Sequence, residues 1–441
     1  MNKPNDIPKE INDQIIFIKT HIDKILSKLP ETLTESAKTY GAIIRHRAIK
    51  SASDLLLALL IYSSVSMSQR VLSAYAAVIG IADISDQAWQ KKIVQSGPWL
   101  SYLLNATMPN ISPESMKPFH NRTVKLLDGS IVKQAGTKDQ KGGESLRIHM
   151  SFNLNLGCMD EVLVTDKHTA ENVMAFNITS GDIYIADAGF GTGVNLAHII
   201  AHNADALFRA TPNHLSLSVD RKGKEKIDMT EKLNTEANLI DFTCYVHTSG
   251  NKYEPVRIIA SRLPEDKALL AKERKIRSAK KRQTNNIREG TLVYAEWVIL
   301  MTTLGSEYSA EELLELYRSR WQIELLFKRI KQSFNTSKLP VASLKHSRVL
   351  VLLWLILWAM TEQNALAAEA FLLNKEADLT RYSPWAMHSF MFIQIKMSIN
   401  CLCALLFDLV EHIESIFSRL QNHRSSRPNQ YAYFHFGLGT M

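Results

Sequence analysis

Residues 182–190 read DIYIADAGF, and residues 123–133 read TVKLLDGSIVK. Both runs are short and rich in aliphatic residues, and in each an acid and a nearby glycine interrupt the apolar pattern, which is typical of strands. Asp187 and Asp128 are therefore predicted to stand where a strand leaves its sheet, the usual position of active sites in α/β proteins. A single aspartate of this kind is more often a turn or a helix cap, but two on neighbouring strands favour a site.

The residues around these two runs predict the rest of an α/β layer. LRIHMSFNLNL (146–156) and MDEVLVTD (159–166) have the composition of further strands. A helix over Val194–His202 and a strand over Ala206–Ala210 follow. Strands alternating with a helix in this way indicate a sheet with helices packed on it.

The N-terminal part, from residue 1 to about 115, is predicted to be helical because amphipathic runs dominate it. Residues 68–96 form a candidate helix-turn-helix, in which Ser68 would cap a helix ending near Gly80 and Ser85 would cap a second helix. The second helix is expected to point four side chains outward, as one that enters a DNA groove would. They are Gln87, Gln90, Lys91 and Lys92. An ordinary helical hairpin explains the same pattern, and both readings stay open.

Residues 213–303 interrupt the α/β alternation and predict a β-rich insertion. Residues 241–263 suggest two strands joined through Ser249, Gly250 and Asn251, and residues 291–303 (TLVYAEWVILMTT) suggest one more. Between them, Glu265 to Arg288 carries nine cations and three acids. This stretch is either a solvated linker or a contact for a polyanion.

A single helix is predicted from Ser309 to about Gln332. At about 100° per residue, Tyr317, Arg320, Glu324 and Lys331 share an arc of about 60°. One face would thus present a phenol, a guanidinium, a carboxylate and an ammonium group. A solvated face in which Arg320 pairs with Glu324 would give the same pattern.

Composition sets the broad class of the protein. The chain has 441 residues with 52 Lys and Arg against 44 Asp and Glu, a net charge of +8, which favours a polyanionic partner. Its 46% hydrophobic content excludes a disordered or collagen-like chain. Four cysteines, at 158, 244, 401 and 403, are too few for a disulfide scaffold and are expected to be buried thiols.

Sequence patterns predict a cytoplasmic protein without a membrane anchor. The first residues, MNKPNDIPKEINDQ, lack the apolar stretch of a secretory signal. The longest apolar run, Val349–Met360, is shorter than the roughly 20 residues needed to span a bilayer, so a buried helix is expected.

The spacing of the charged helix resembles a known family. Tyr317, Arg320, Glu324 and Lys331 match the Y-x2-R-x3-E-x6-K signature of bacterial insertion-sequence transposases of the DDE class, the cut-and-paste group with a ribonuclease H-like core. The DGS and ADAGFG motifs precede it in the expected order, and the resemblance covers roughly residues 35–370.

The resemblance implies that Asp128, Asp187 and Glu324 are the catalytic residues and bind two divalent metal ions, Mg²⁺ or Mn²⁺. Hard oxygen ligands suit these ions, and two metals would activate the attacking hydroxyl and stabilise the leaving oxygen.

The same resemblance implies DNA contacts. Tyr317, Arg320 and Lys331 would hold phosphates near the cut. The family has a β insertion between its second aspartate and its glutamate, and Trp297 occupies the place of a tryptophan that stacks on a base flipped from a hairpin end. A tryptophan in an apolar strand is also commonly a core residue.

The expected architecture is an α/β protein whose ribonuclease H-like core is interrupted by a mainly β insertion, with helical regions at both ends. The predicted parts are an N-terminal DNA-binding region (1–115), the first core part (116–212), the insertion (213–303), the second core part (304–370) and a helical C-terminal region expected to dimerise (371–441).

The expected activity is cleavage and strand transfer at the terminal inverted repeats of an insertion sequence, through a hairpin intermediate, by a homodimer bound to the transposon ends and target. The alternatives are an inactive DNA-binding relative that regulates transposition and a soluble nuclease with the same core.

Overall fold

A computed structural model of the chain describes residues 26–45, 48–65, 67–108, 119–133, 145–281, 289–334, 343–375 and 384–401. Predictions that concern the other residues, such as residues 1–25 and 402–441, lie outside this part of the chain. Residue contacts divide the protein into two units, one made of residues 1–107 with 340–441 and one of residues 108–339.

The described helices and strands are as follows in chain order. The helices are α1 (Leu33–Thr39), α2 (Ala52–Val65), α3 (Gln69–Val78), α4 (Asp86–Gln95), α5 (Gly97–Ala106), α6 (Gly193–Ala201), α7 (Met229–Leu233), α8 (Glu265–Lys281), α9 (Glu289–Ala295), α10 (Ala310–Arg318), α11 (Trp321–Ser333), α12 (Leu344–Asn374) and α13 (Pro384–Cys401). The strands are β1 (Val124–Lys133), β2 (Ser145–Asn153), β3 (Cys158–Asp166), β4 (Ile183–Ala186), β5 (Asp205–Arg209), β6 (Leu217–Ser218), β7 (Leu239–Ser249), β8 (Lys252–Arg262) and β9 (Trp297–Thr302).

The first unit contains the described N-terminal helices together with α12 and α13. The predicted helix-turn-helix boundaries are confirmed: the Ser68 hydroxyl accepts a hydrogen bond from the N–H of Val71, and the Ser85 hydroxyl accepts one from Ala88. Gln87, Gln90 and Lys91 are exposed as predicted. Lys92 is not, because its ammonium group donates to the carbonyl of Ala42 at 2.9 Å.

Helix α12 is the core helix of this unit. Residues 349–360 are all buried, as predicted for the longest apolar run. Leu344–Leu372 is long and apolar enough to cross a membrane, but 78% of its most apolar window is buried inside the protein. That degree of burial is the pattern of a core helix in a globular unit.

The second unit is built on one nine-stranded sheet, with strand order β3-β2-β1-β4-β5-β9-β8-β7-β6. Strands β1, β4 and β5 run parallel, and β2 is antiparallel to β1. Every residue of β4 is buried, as expected for a central strand covered on both faces. Strands β1 to β5 with α6 form the ribonuclease H-like core.

The β-rich segment after β5 does not form a sheet of its own, because its strands continue the core sheet. Strand β9 pairs antiparallel with β5, through Leu207 and Thr302, and also with β8. The hairpin of β7 and β8 turns at residues 250–251 as predicted. The last strand starts only at Trp297, because residues 291–295 of the predicted strand belong to α9.

An ion-pair network joins this segment to the start of α10. The guanidinium of Arg257 on β8 donates to both carboxylate oxygens of Asp241 at 2.8 and 2.6 Å, and to the carbonyls of Gly305 and Tyr308 at 2.5 and 2.7 Å. The β-rich part thereby holds the turn from which α10 begins. Ser309 then caps α10 by accepting the N–H of Glu312.

Candidate active site

Asp187 directly follows β4, as predicted. It is half-buried, and one of its carboxylate oxygens accepts the N–H of Gly189 at 2.8 Å. It lies between the carboxyl end of β4 and the start of α6, so its backbone is fixed by a central strand and by a capped helix.

Asp128 lies within a strand instead of at its end, which corrects the prediction. It pairs with Met150 in the antiparallel ladder of β1 and β2, which continues to Lys133. The parallel pairing of β1 with β4, however, stops one residue earlier, between Leu127 and Ala186. Both aspartates therefore stand where β1 and β4 separate, so the predicted juxtaposition is correct for a different local reason.

Burial raises the pKa of Asp128 to about 7. The hydrogen bond from the Gly129 N–H and the positive charge of Arg320 act against this shift, whereas the negative charges of Asp187 and Glu171 add to it. Close carboxylates that repel one another in a partly desolvated place favour a proton or a cation between them.

Glu171 is a site residue that the sequence analysis missed. One of its carboxylate oxygens lies 2.8 Å from the point that a Cβ on Gly129 would occupy, and the other lies 2.6 Å from the corresponding point on Gly189. Asp187 Oδ1 is 3.1 Å from that second point. The two glycines thus leave the space in which a third carboxyl group joins the two aspartates.

Arg147 on β2 partly balances this carboxylate, with its guanidinium 3.5 Å from Glu171. Burial raises the pKa of Glu171, the charge of Asp187 raises it further, and Arg147 lowers it. Glu171 stands on the connection between β3 and β4, where no periodic pattern marks it. The sequence offered one indication of its role, namely that an acidic residue lies in the segment leading into β4, the strand that Asp187 follows.

Glu324 stands on α11, near its start. The predicted single helix from Ser309 to Gln332 is two helices, because the chain leaves α10 after Arg318 and begins α11 at Trp321. The carboxylate of Glu324 forms an ion pair with Arg320, one turn earlier. The Arg320–Glu324 ion pair, which was the alternative explanation for the charged helix face, is therefore present.

Tyr317 and Arg320 lie side by side across the helix break, with the guanidinium 5.9 Å from the centre of the phenol ring. Burial raises the pKa of Tyr317, and the charges of Arg320 and Arg209 oppose the shift. The hydroxyl of Tyr317 and the Nε of Arg320 are buried and make no hydrogen bond of normal geometry to the described residues. These donors have bonding capacity that the described protein leaves unused.

Lys331 contacts β1 across the site. Its ammonium group donates to the Ser130 hydroxyl at 2.6 Å and to the Ile131 carbonyl at 3.0 Å. Asp128 and Glu324 line the same open cleft of about 820 Å³ between β1 and α11. Its cations are Lys133, Lys328 and Lys331.

Trp297 is apart from this cleft. Only 2% of its surface is exposed, it belongs to the hydrophobic core of the sheet, and the guanidinium of Arg262 covers its ring at 4.7 Å. Trp321, which follows Arg320 in the sequence, is 57% exposed.

The donor chemistry fits hard divalent cations, since Asp128, Asp187, Glu324 and Glu171 supply carboxylate oxygens. The space left open by Gly129 and Gly189 lets Glu171 approach the two aspartates. In the described part of the chain no group of three such side chains is arranged so that it could hold a metal ion. Glu324 is engaged by Arg320, so a complete ligand set requires that this ion pair open.

Comparisons with known proteins agree with this core. The transposase DDE domain family matches residues 120–360 of the chain. InsL of insertion sequence element IS186A from Escherichia coli strain K12, which is named as a transposase, is 32% identical over 327 residues, or 73% of this chain and 85% of the relative. The transposase for element IS421 of Escherichia coli is 32% identical over 328 residues, with the same two coverages.

Among solved structures, the chain is similar to the cryo-EM structure of a piggyBac transposase synaptic complex with hairpin DNA. Its TM-score is 0.44 at 10% sequence identity, and the match covers 95% of this chain and 88% of that chain.

A ribonuclease H-like sheet with carboxylates beside a cation-lined cleft defines a class of enzymes that act on nucleic acids. Within that class, the chain belongs to the DDE transposase family of bacterial insertion sequences, whose members cleave DNA and transfer its strands.

Proposed function

We propose that the chain cuts and joins the ends of its own insertion element with Asp128, Asp187 and Glu324 as the catalytic carboxylates. The observation that carries this proposal is the cleft between β1 and α11, which Asp128 and Glu324 both line and which Lys133, Lys328 and Lys331 make positive. Carboxylates for metal ions and cations for phosphates are the two groups that phosphodiester chemistry needs.

The three carboxylates would hold two divalent ions, with Mg²⁺ or Mn²⁺ as the expected metals. Such ions, when bound, activate the attacking hydroxyl and stabilise the charge on the leaving oxygen. Asp128 fits this role because its raised pKa, to about 7, reflects a place that favours bound positive charge over a free carboxylate.

The protein's cations would position the scissile phosphate. Arg320 can turn from Glu324 to a phosphate oxygen, which frees the carboxylate for a metal ion. Tyr317 can donate its unused hydroxyl hydrogen bond, and Lys331 can reach the DNA backbone from α11, where its ammonium group lies beside β1. Water then displaces the 3′ oxygen at phosphorus and leaves a 5′ phosphate. The freed 3′ hydroxyl attacks a second phosphodiester and displaces the 3′ oxygen of that linkage.

The partner would be double-stranded DNA, first the terminal inverted repeats of the element and then the target. We further propose a homodimer on the DNA, a cytoplasmic location on the nucleoid, and a hairpin intermediate. For Trp297 to stack on a flipped base, it would have to leave the core position beneath Arg262. Helix α4, with three exposed polar or basic side chains, is the proposed groove-reading element.

The domain division is likewise a proposal: 1–115, 116–212, 213–303, 304–370 and 371–441. Residue contacts group 340–441 with 1–107, so α12 is counted with the N-terminal helices in that grouping. Separate expression of 108–339 and of the complete chain would test which boundaries delimit a stable unit.

The test is a cleavage assay on a DNA fragment that bears the element's end. The wild-type protein should nick at the end with Mg²⁺ and bind without cutting with Ca²⁺. Glu324→Gln should bind but not cut. Glu315→Gln is the matched control, because Glu315 lies on α10, is 70% exposed and pairs with Arg318, three residues later.

Other outcomes would identify the alternatives. Binding without cleavage under either metal would support an inactive regulatory relative. Cleavage that ignores the end sequence would support a nuclease. Wild-type cleavage in Glu324→Gln would overturn the assignment of the carboxylate.

A further inference from the structure

Helix α8 has an unusual surface, because none of its 17 residues is buried. It carries seven cations and three acids. Lys272 forms an ion pair with Glu296 at the start of β9, so the side of α8 that carries Lys272 faces the protein. Because the helix contacts the protein along one side, most of its surface is accessible to a binding partner.

The opposite side of α8 carries a stripe of four cations and one leucine, which we call the cationic stripe. At about 100° per residue, Lys267, Leu270, Arg274, Arg277 and Lys281 fall within an arc of about 80°, centred roughly opposite Lys272. All five are exposed, and none of the acids of α8 lies in this arc. Arg277 is paired with Glu273, whereas Lys267, Arg274 and Lys281 form no ion pair with any described residue.

The topology places α8 at the same edge of the sheet as the aspartates, namely the edge formed by the carboxyl ends of β4, β5 and β8. Strand β5 runs parallel to β4, β9 runs antiparallel to β5, and β8 runs antiparallel to β9. Strand β8 therefore ends at the edge where Asp187 follows β4, and α8 begins three residues after that end. The cationic stripe and the carboxylates therefore lie at the same edge of the sheet, where one ligand could contact both.

The charge decides what kind of partner fits. A second copy of the chain would bring the same cations to the interface and would be repelled. Successive unpaired cations on the stripe are about 10 Å apart along the helix, which is about three nucleotide steps of one DNA strand measured along the duplex axis.

We propose that α8 lies along the sugar-phosphate backbone of duplex DNA held at this edge, with Lys267, Arg274 and Lys281 as phosphate contacts. The inference rests on the proposed function for the choice of DNA as the polyanion. It adds a surface outside the cleft that anchors the duplex independently of base sequence.

The test compares two variants with equal charge loss. The first is the triple variant Lys267→Gln, Arg274→Gln, Lys281→Gln. The control is Arg221→Gln, Lys222→Gln, Lys224→Gln, in an exposed loop that packs through Gly223 on Tyr253, near the start of β8 and hence at the other edge. Glutamine keeps nearly the helix propensity of lysine and arginine, so both should melt like the wild type.

Binding of a mixed-sequence duplex is measured in Ca²⁺ over a range of NaCl concentrations. The first variant should lower the slope of log affinity against log salt by about 3, since each lost phosphate contact removes roughly 0.9. The control should keep the wild-type slope. An unchanged slope in the first variant, an equal loss in the control, or a first variant whose only change is in self-association would each overturn the assignment.

Cleavage of the element's end, assayed in parallel with Mg²⁺, separates this inference from the proposed function. If the first variant has a lower slope than the wild type but the wild type cuts no DNA, the role of α8 is supported and the proposed activity is contradicted. End-specific cleavage combined with an unchanged slope in the first variant contradicts the role of α8 alone.

Discussion

The ammonium group of Lys331 donates a 2.6 Å hydrogen bond to the hydroxyl of Ser130, two residues beyond Asp128 on β1. The lysine of the signature therefore ties α11 to the strand that carries the first aspartate. It can act on DNA through its charge, or on the site through this tie.

Comparing Lys331→Met with Ser130→Ala separates these roles. Lys331→Met should lower the free energy of unfolding by about 1.5–3 kcal/mol, because it removes hydrogen bonds made by a charged group. Cleavage should fall at least about tenfold further than in Ser130→Ala, since phosphate binding also loses a cation. Equal cleavage rates in the two variants would show that Lys331 acts only by holding α11.

Asp128 should make the stability of the metal-free protein depend on pH. Its pKa is raised to about 7, mainly by burial, above its ordinary value of 3.8. The folded protein therefore keeps a proton that the unfolded chain loses, so the contribution is complete below about pH 4 and is lost as the pH rises through 7.

Urea unfolding in EDTA measures this effect. Between about pH 4 and 7 the wild type should lose stability relative to Asp128→Asn by an amount on the order of 3 kcal/mol. Mg²⁺ at pH 7 should stabilise the wild type more than the variant. Parallel pH curves for the two proteins would contradict the assigned pKa.

Glu171→Gln should weaken metal binding because Glu171 lies against Gly129 and Gly189, next to both aspartates. We expect a loss of about 10–100-fold in Mn²⁺ affinity, measured by calorimetry without DNA, and a cleavage defect that excess Mn²⁺ partly reverses. Glu225→Gln, at an exposed site, is the control. Unaltered Mn²⁺ affinity in Glu171→Gln would place this residue outside the metal site.

Gly189→Ala should disturb the same cluster by volume alone. The new Cβ would meet Glu171 at 2.6 Å and Asp187 at 3.1 Å, closer than carbon and oxygen normally approach. Cleavage should fall at least about tenfold, and Mn²⁺ affinity should fall with it because the displaced carboxylates belong to the proposed metal site. Gly97→Ala, whose Cβ would meet only Val349 at 3.8 Å, should have wild-type cleavage. Wild-type cleavage and Mn²⁺ affinity in Gly189→Ala would contradict the proposed crowding.

The sequence predicted the strands of the core well, because short apolar runs with strong breaks leave little choice of structure. It predicted that Asp128 and Asp187 would meet, although Asp128 lies inside a strand whose pairing with β4 ends at Leu127. That divergence is a property of strand pairing, and no residue pattern marks it.

Other features depended on tertiary contacts. The break between α10 and α11 falls at Ser319 and Arg320, where neither glycine nor proline marks it. Residues 291–295 have the composition of a strand but form a helix that contacts α8. Glu171 could not be identified from the sequence, because it lies in a connecting loop, where no hydrophobic periodicity makes an acidic residue stand out.

The continuous sheet also covers one side of the core. If the chain lacked residues 213–303, β5 would be an outer strand with unpaired backbone groups beside the candidate site, and such strands recruit other chains into aggregates. Strand β9 covers that edge, and β8, β7 and β6 continue the sheet to a terminal strand of only two residues. The long excursion between Asp187 and Glu324 therefore shields β5 from such pairing as well as contributing to the architecture around the carboxylates.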